Sequence, residues 1–246
     1  VNGGVSITGT IITRNEEDRI AGAIASLSCC DEVLVVDSES TDRTRQIAEQ
    51  SGARVIVRPW KGYSDQKNFA ADAALHDWIL SIDADERLSA ELALEIGAWK
   101  QHGSGSGGSM PRRAFYLGKW IGHSGWYPDR KLRLYHRRKG RWQGDSVHET
   151  MVLEGRAMPF SGDLLHLPYR DWNDHIRRID RYTRLAADSS RTSGKSRSRL
   201  RLLAGPPLSF LKTFVLQAGF LDGWRGALIA YASARYVFLR ELRRLR

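Results

Sequence analysis

Trp78-Ile79-Leu80-Ser81-Ile82-Asp83-Ala84-Asp85-Glu86 is a short apolar run that stops abruptly in three acids. Apolar or small residues followed by charged, turn-forming ones predict a buried parallel strand whose carboxyl end opens into a crevice. In open α/β sheets that crevice is where ligands bind. Asp83 and Asp85, one residue apart at such an end, present hard oxygens suited to Mg²⁺ or Mn²⁺. An isolated Asp-x-Asp reads more simply as an acidic turn; the residues upstream argue for more.

Up to about residue 100, strand and helix signals alternate. Beta-branched runs cover 5–12, 32–36, 53–57 and 78–82. Between them Ile20, Ile24 and Leu27 follow Asn15 as an expected helix cap, Ile47 and Ala48 precede a stop at Gly52, and Phe69, Ala70, Ala73 and Ala74 share a face. This alternation predicts a parallel sheet with right-handed crossovers, a nucleotide-binding half-fold. Two more strands end in polar residues, Thr13-Arg14-Asn15-Glu16 and Asp37-Ser38-Glu39-Ser40-Thr41-Asp42. Asp37 is placed to accept hydrogen bonds from a base or ribose. Its alternative role is a helix cap, which Ser40 or Thr41 is expected to fill instead, leaving Asp37 available.

The 246 residues, 41% of them hydrophobic, suffice for one large domain, or one domain with an appendage. Cys29 and Cys30 are adjacent, which provides neither a disulfide framework nor zinc-finger spacing and fits a reducing cytosol. No signal peptide precedes the first strand, although the chain starts at Val1, which leaves a trimmed N-terminus open. Charge divides sharply. Residues 1–100 carry 10 Lys/Arg against 17 Asp/Glu, whereas 101–246 carry 28 against 11. A protein holding nucleic acid with its whole surface has no need of this division. An acidic half joined to a basic half points to an anionic acceptor or an anionic surface. Gly103-Ser104-Gly105-Ser106-Gly107-Gly108 satisfies the dinucleotide pattern G-x-G-x-x-G literally, but it follows the helical pattern Leu92, Ile96, Trp99 and no strand. A flexible loop over 103–109 is expected, and a dehydrogenase is rejected.

Asn15-Glu16-Glu17, Val36-Asp37-Ser38 with Ser40-Thr41-Asp42, Gln66-Lys67-Asn68 and Asp83-Ala84-Asp85-Glu86 together resemble a family 2 inverting glycosyltransferase of the GT-A fold. Gly125-Trp126-Tyr127-Pro128, Lys131-Leu132-Arg133-Leu134, Val147-His148-Glu149 and Gly219-Phe220-Leu221-Asp222-Gly223 resemble its bacterial subgroup that includes lipopolysaccharide core β-1,4-glucosyltransferases. The resemblance implies an α/β chain with a Rossmann-like mixed sheet flanked by helices, followed by a C-terminal basic amphipathic helical extension. It places a UDP-hexose on Thr13, Asn15, Glu16, Asp37, Lys67, Asn68 and Asp83. Arg130 and Arg133 have the chemistry to neutralise a diphosphate or an acceptor phosphate, against the alternative of a solvated basic strand. Metal ligands are expected at Asp85, Asp83 and, after Leu164-Leu165, His166. An inverting transfer needs a carboxylate base opposite the leaving diphosphate. The subgroup motif assigns that role to Glu149, with an ion pair to an arginine as its alternative and Asp145 in reserve. Trp126, Tyr127 and Trp142 are candidate sugar platforms or buried aromatics.

Beyond Ile176, helical spacing continues among arginines. Pro206-Pro207 is expected to break the chain, and a last helix carries Leu228, Tyr231, Phe238, Leu242 and Leu245 in one stripe interrupted by Arg235. No apolar run reaches the roughly 18–20 residues that span a bilayer, which suggests an interfacial helix meeting anionic head groups. The expected organisation is a nucleotide-sugar half at 1–102, the loop at 103–109, an acceptor-side half at 110–170 and a membrane-associating extension at 171–246. The implied setting is peripheral, at the cytoplasmic face of a bacterial inner membrane, with a glycolipid acceptor and no nucleic acid. A sugar nucleotidyltransferase shares the core and the metal acids but releases pyrophosphate. A basic non-enzymatic binding protein accounts for the charge but not for the strand-end acids.

Overall fold

The computed structural model describes residues 4–144, 149–192 and 199–245. Strands β1 (Ile7–Thr13), β2 (Glu32–Asp37), β3 (Arg54–Val57) and β4 (Trp78–Asp83) are parallel, in the order β3-β2-β1-β4. Every residue of β1 is buried, as a strand covered on both faces requires. Three crossover helices, α1 (Ile20–Ser26), α2 (Thr44–Gln50) and α3 (Tyr63–Ala73), supply the cover. After β5 (Glu86–Leu88), α4 (Ala90–Lys100) starts on Ser89, whose Oγ accepts from Leu92 N at 3.1 Å, and buries Leu92, Ile96 and Trp99, the spacing foreseen.

The sheet then turns antiparallel. β6 (Gly107–Tyr116) pairs β8 (Asp129–His136), which pairs β4; β12 (Leu164–His166) closes on β5. β7 (Lys119–Trp120) and β11 (Ala157–Pro159) also pair β6, and β9 (Gly140–Gln143) with β10 (Thr150–Leu153) forms a separate ribbon. The result is a mixed sheet flanked by helices, a GT-A-like architecture.

The chain divides into two compact units, Val1–Arg112 with Asp129–His166, and Arg113–Pro128 with Leu167–Arg246. In the second, α5 (Trp172–Thr192), α6 (Arg199–Leu211) and α7 (Trp224–Leu245) pack together, with a π-helical turn at Lys212–Leu216 and a 3₁₀ turn at Gly219–Asp222. Asp222 is buried and accepts from Gly122 N (3.1 Å), His123 N (3.2 Å) and Ser124 Oγ (2.8 Å). A Cβ on Gly226 would stand 1.8 Å from Gly219 O, so only glycine lets α7 start against the 3₁₀ turn. Nearby, Tyr116 Oη bonds His175 Nδ1 at 2.7 Å, and Tyr169 stacks on that imidazole.

Several local expectations are corrected. Gly107–Ser109 are strand, not loop: a Cβ on Gly108 would meet buried Phe160 at 2.2 Å, so glycine there serves close packing. Asn15 does not cap α1, which begins after Arg19 without a side-chain cap; it adopts φ +55° and bonds Thr41 instead. Neither Ser40 nor Thr41 caps α2. Pro206 and Pro207 lie inside α6. Each removes an N–H donor, yet packing against α7 keeps the helix continuous. On α7 the buried residues are Gly226, Ile229, Ala230, Ala232 and Glu241, while Tyr231 and Phe238 of the foreseen stripe are exposed.

Candidate active site

Parallel register assembles the site. Thr13 pairs with Asp37 and Ile12 with Asp83, so β1, β2 and β4 end side by side. Strand order reverses between β1 and β4, the switch point at which a doubly wound sheet opens a crevice.

Asp83 ends β4 between two cations. Its Oδ1 is 3.0 Å from Lys67 Nζ, and its Oδ2 accepts from Arg133 Nη2 at 2.8 Å. Burial pushes the Asp83 carboxyl up, but Lys67 and Arg133 outweigh it and hold the group far below the usual carboxylate range. The same Arg133 nitrogen reaches Glu86 Oε1 at 2.6 Å, and Glu86 Oε1 also accepts from Arg112 Nη1 at 3.1 Å. Arg112 in turn bonds Asp129, its cross-strand partner. Glu86 and Arg133 are buried, so each needs its partner; a lone charge there would cost several kcal/mol.

Lys67 extends the network. It is buried on the inner face of α3, beside Gln66, Ala70 and Ala71. Its Nζ stands 4.3 Å from the centroid of the Trp142 ring and 3.4 Å from Glu149 Oε1. One ammonium therefore links the acid ending β4 to the acid preceding β10. Glu149 is partly exposed, and its Oε2 meets no donor among the described residues. The foreseen ion pair of Glu149 is thus made by a lysine of α3 and not by an arginine. Asp145 and His148 lie outside the described residues.

Asp85 stands in the turn between β4 and β5, and β12 brings His166 opposite Glu86. His166 Nε2 is 3.5 Å from Asp85 Oδ2, and both side chains are partly exposed. The Asp85 carboxylate suits Mg²⁺ or Mn²⁺, and an imidazole beside it favours the softer Mn²⁺. Among the described residues no group of three or more His, Cys, Asp or Glu forms a cation site. Asp85 and His166 are thus a pair only, and Asp83 is engaged by Lys67 and Arg133.

Around β1 and β2 the polar residues bind one another. Asn15 N donates to Ser40 Oγ (2.9 Å), Thr41 N to Asn15 Oδ1 (2.8 Å) and Glu16 N to Thr44 Oγ1 (2.8 Å). Asp37 is buried and accepts from both the amide and the hydroxyl of Ser40. Thr13 Oγ1 is buried and has no hydrogen-bond partner among the described residues. Asn68 acts as a strand surrogate, donating to Trp142 O (2.9 Å) and accepting from Trp142 N (3.0 Å), which fixes β9. Arg130 donates to Ser109 O and Phe160 O. Trp142 is buried, so it is a core ring under Lys67 and no open sugar platform. Glu86, Arg112 and Asp129 were not foreseen. Glu86 is the last of the three acids that end the Trp78–Glu86 stretch and was legible as a candidate; the pairing of Arg112 with Asp129 depends on sheet register.

The family model described as glycosyl transferase family 2 matches residues 10–153. A glycosyltransferase of Rickettsia typhi, itself uncharacterised, is 34% identical over 97% of this chain and 87% of its own. The lipopolysaccharide core biosynthesis glycosyltransferase LpsC of Rhizobium meliloti is 32% identical over 96% of this chain and 93% of its own. The solved mannosyltransferase of Pyrobaculum calidifontis, in complex with GDP-Man and Mn²⁺, shares the fold, with a TM-score of 0.54 at 16% identity over 98% of this chain and 87% of that one.

Proposed function

The chain belongs to glycosyl transferase family 2, and from that premise we propose that it is a metal-assisted, inverting hexosyltransferase. The donor is a UDP-hexose, glucose by resemblance, and the acceptor is a lipopolysaccharide inner-core heptose or a related glycolipid. The name of the Rhizobium relative supports the acceptor class. The reading places the enzyme peripherally at the cytoplasmic face of a bacterial inner membrane. Consistent with attachment rather than spanning, no helix among the described residues is long and apolar enough to cross a bilayer.

The observation that carries this reading is the pairing, at the ends of the parallel strands, of an open Asp85–His166 donor pair with a Lys67-linked Asp83 and Glu149. Asp85 and His166 would hold Mg²⁺ or Mn²⁺, which supplies positive charge to the departing diphosphate. Glu149, held by Lys67 through one oxygen, takes the proton of the acceptor hydroxyl. The acceptor oxygen bonds the anomeric carbon as the bond from that carbon to the diphosphate oxygen breaks, and UDP leaves with the bonding electrons. Attack from the opposite face inverts the centre. Asp83, Arg133, Glu86 and Arg112 form the rigid floor that fixes Lys67 and so Glu149.

A donor screen tests the proposal: purified protein with Mn²⁺, a panel of UDP- and GDP-sugars, and detection of released nucleoside diphosphate and pyrophosphate. Release of UDP from one sugar nucleotide is expected. Pyrophosphate release would move the chain to the nucleotidyltransferases.

A further inference from the structure

The solvent side of α6 and of the turns that follow it is apolar. A helix packed on one neighbour ordinarily turns charge outward. Here α6 packs on α7, yet Leu203 is 73% exposed; Leu208 and Leu211 follow it outward, the π turn adds Leu216 at 82%, and Phe220 and Trp224 continue the surface. Elsewhere, only Leu75 and Leu94 are more than half exposed among the described large apolar side chains. Scattered singly, such residues need no explanation; a continuous run of them marks a contact surface.

Charge identifies what that surface meets. Between Leu200 and Trp224 the charged residues are Arg201, Lys212 and Asp222, with Arg225 next in sequence. Asp222 is buried and turned onto the Gly122–Ser124 backbone and hydroxyl, so no acid of the stretch faces outward. Arg201 and Lys212 are exposed, and the Arg225 guanidinium lies 4.4 Å from the centroid of the Trp224 ring. A two-fold contact with a second copy would set these cations against themselves with no acid between them. A bilayer offers phosphates at the depth of the cations and acyl chains just below, and Trp and Phe favour that boundary. The 13 residues of α6 extend about 20 Å, enough to lie in the interface but not to cross it.

We propose that the outward face from Leu200 to Trp224 seats itself in the interface of an anionic bilayer. The inference rests on the peripheral attachment proposed above and assigns the contact to α6 and its following turns in place of the α7 stripe.

The test uses the full chain and sedimentation with vesicles of phosphatidylglycerol and phosphatidylethanolamine. Leu203→Gln, Leu216→Gln and Trp224→Gln should each weaken binding about tenfold, the effect of withholding most of one large apolar side chain from burial. Leu94→Gln, equally exposed but on α4, should bind as the wild type does. Hydrolysis of the sugar nucleotide without lipid, measured on the same proteins, should not change, which separates this inference from the transferase reading. If the three variants sediment normally while Phe238→Gln does not, the contact lies on α7: attachment survives and the inference falls. If the wild type ignores the vesicles, both fall, and a dimer dissociated by the same variants would identify a second copy as the occupant.

Discussion

The two units invert the ordinary rule of burial in opposite senses. The first takes charge inside: Lys67, Glu86 and Arg133 are all buried, joined to Asp83 and Arg112. The second leaves apolar side chains outside, from Leu203 through Trp224. Each departure carries a cost. A buried charge must be matched by a partner, and an exposed leucine forfeits the burial that would have stabilised the fold. The costs differ in kind. Removing a charge from the first unit breaks a network, whereas changing an outward leucine in the second leaves the fold as it was. Local rules broken in this way are expected where function is placed.

The most severe test of the contrast is Asp85→Asn, which should abolish turnover and weaken Mn²⁺-dependent UDP binding in calorimetry; unchanged metal-dependent affinity would remove Asp85 from the site. Glu149→Gln should keep donor affinity while transfer falls by about 10² to 10⁴-fold, the range for a positioned base. Near-normal transfer would shift the role to Asp145. Arg133→Met should destabilise the first unit by about 3 kcal/mol in urea unfolding, since Asp83 and Glu86 each lose a buried partner.

A pH effect belongs to the second unit. Burial pushes the His175 pKa down to about 4, whereas the unfolded chain titrates near the ordinary 6.5. Between these values the unfolded state binds the extra proton, so stability is fully present above about pH 6.5 and declines as pH falls toward 4, by about 3 kcal/mol. The gap in unfolding midpoint between wild type and His175→Gln should be constant above about pH 6.5 and close as pH falls toward 4. The smallest effect is expected at Leu203→Gln, whose stability should stay within about 0.5 kcal/mol of wild type. A large loss there would show that the outward face is held by the fold after all.

Much of the first unit was legible because its signals are local. The β-branched runs of β1 to β4 and the 92, 96, 99 spacing of α4 each state their own conformation, and the acids at 83 and 85 fall where a strand must end. Caps were less legible. Asn15 and Ser40 have the chemistry to cap their own helices, but each satisfies the neighbouring loop instead, a choice made only when β1 and β2 lie side by side. Pro206 and Pro207 misled for a related reason: their local cost was visible, but the packing of α6 on α7 was not.

By itself the sequence determined the alternating α/β order, the acidic strand ends, the family and the absence of a run long enough to span a bilayer. Tertiary structure alone decided that Lys67 would lie between Asp83 and Glu149, that His166 would come within 3.5 Å of Asp85, and that α6 would turn its leucines outward. The reason is physical. Periodicity and strand-end chemistry are properties of neighbours along the chain, whereas the partner of a buried charge, and the face a helix shows to solvent, are set by sheet register and helix packing between residues far apart in sequence.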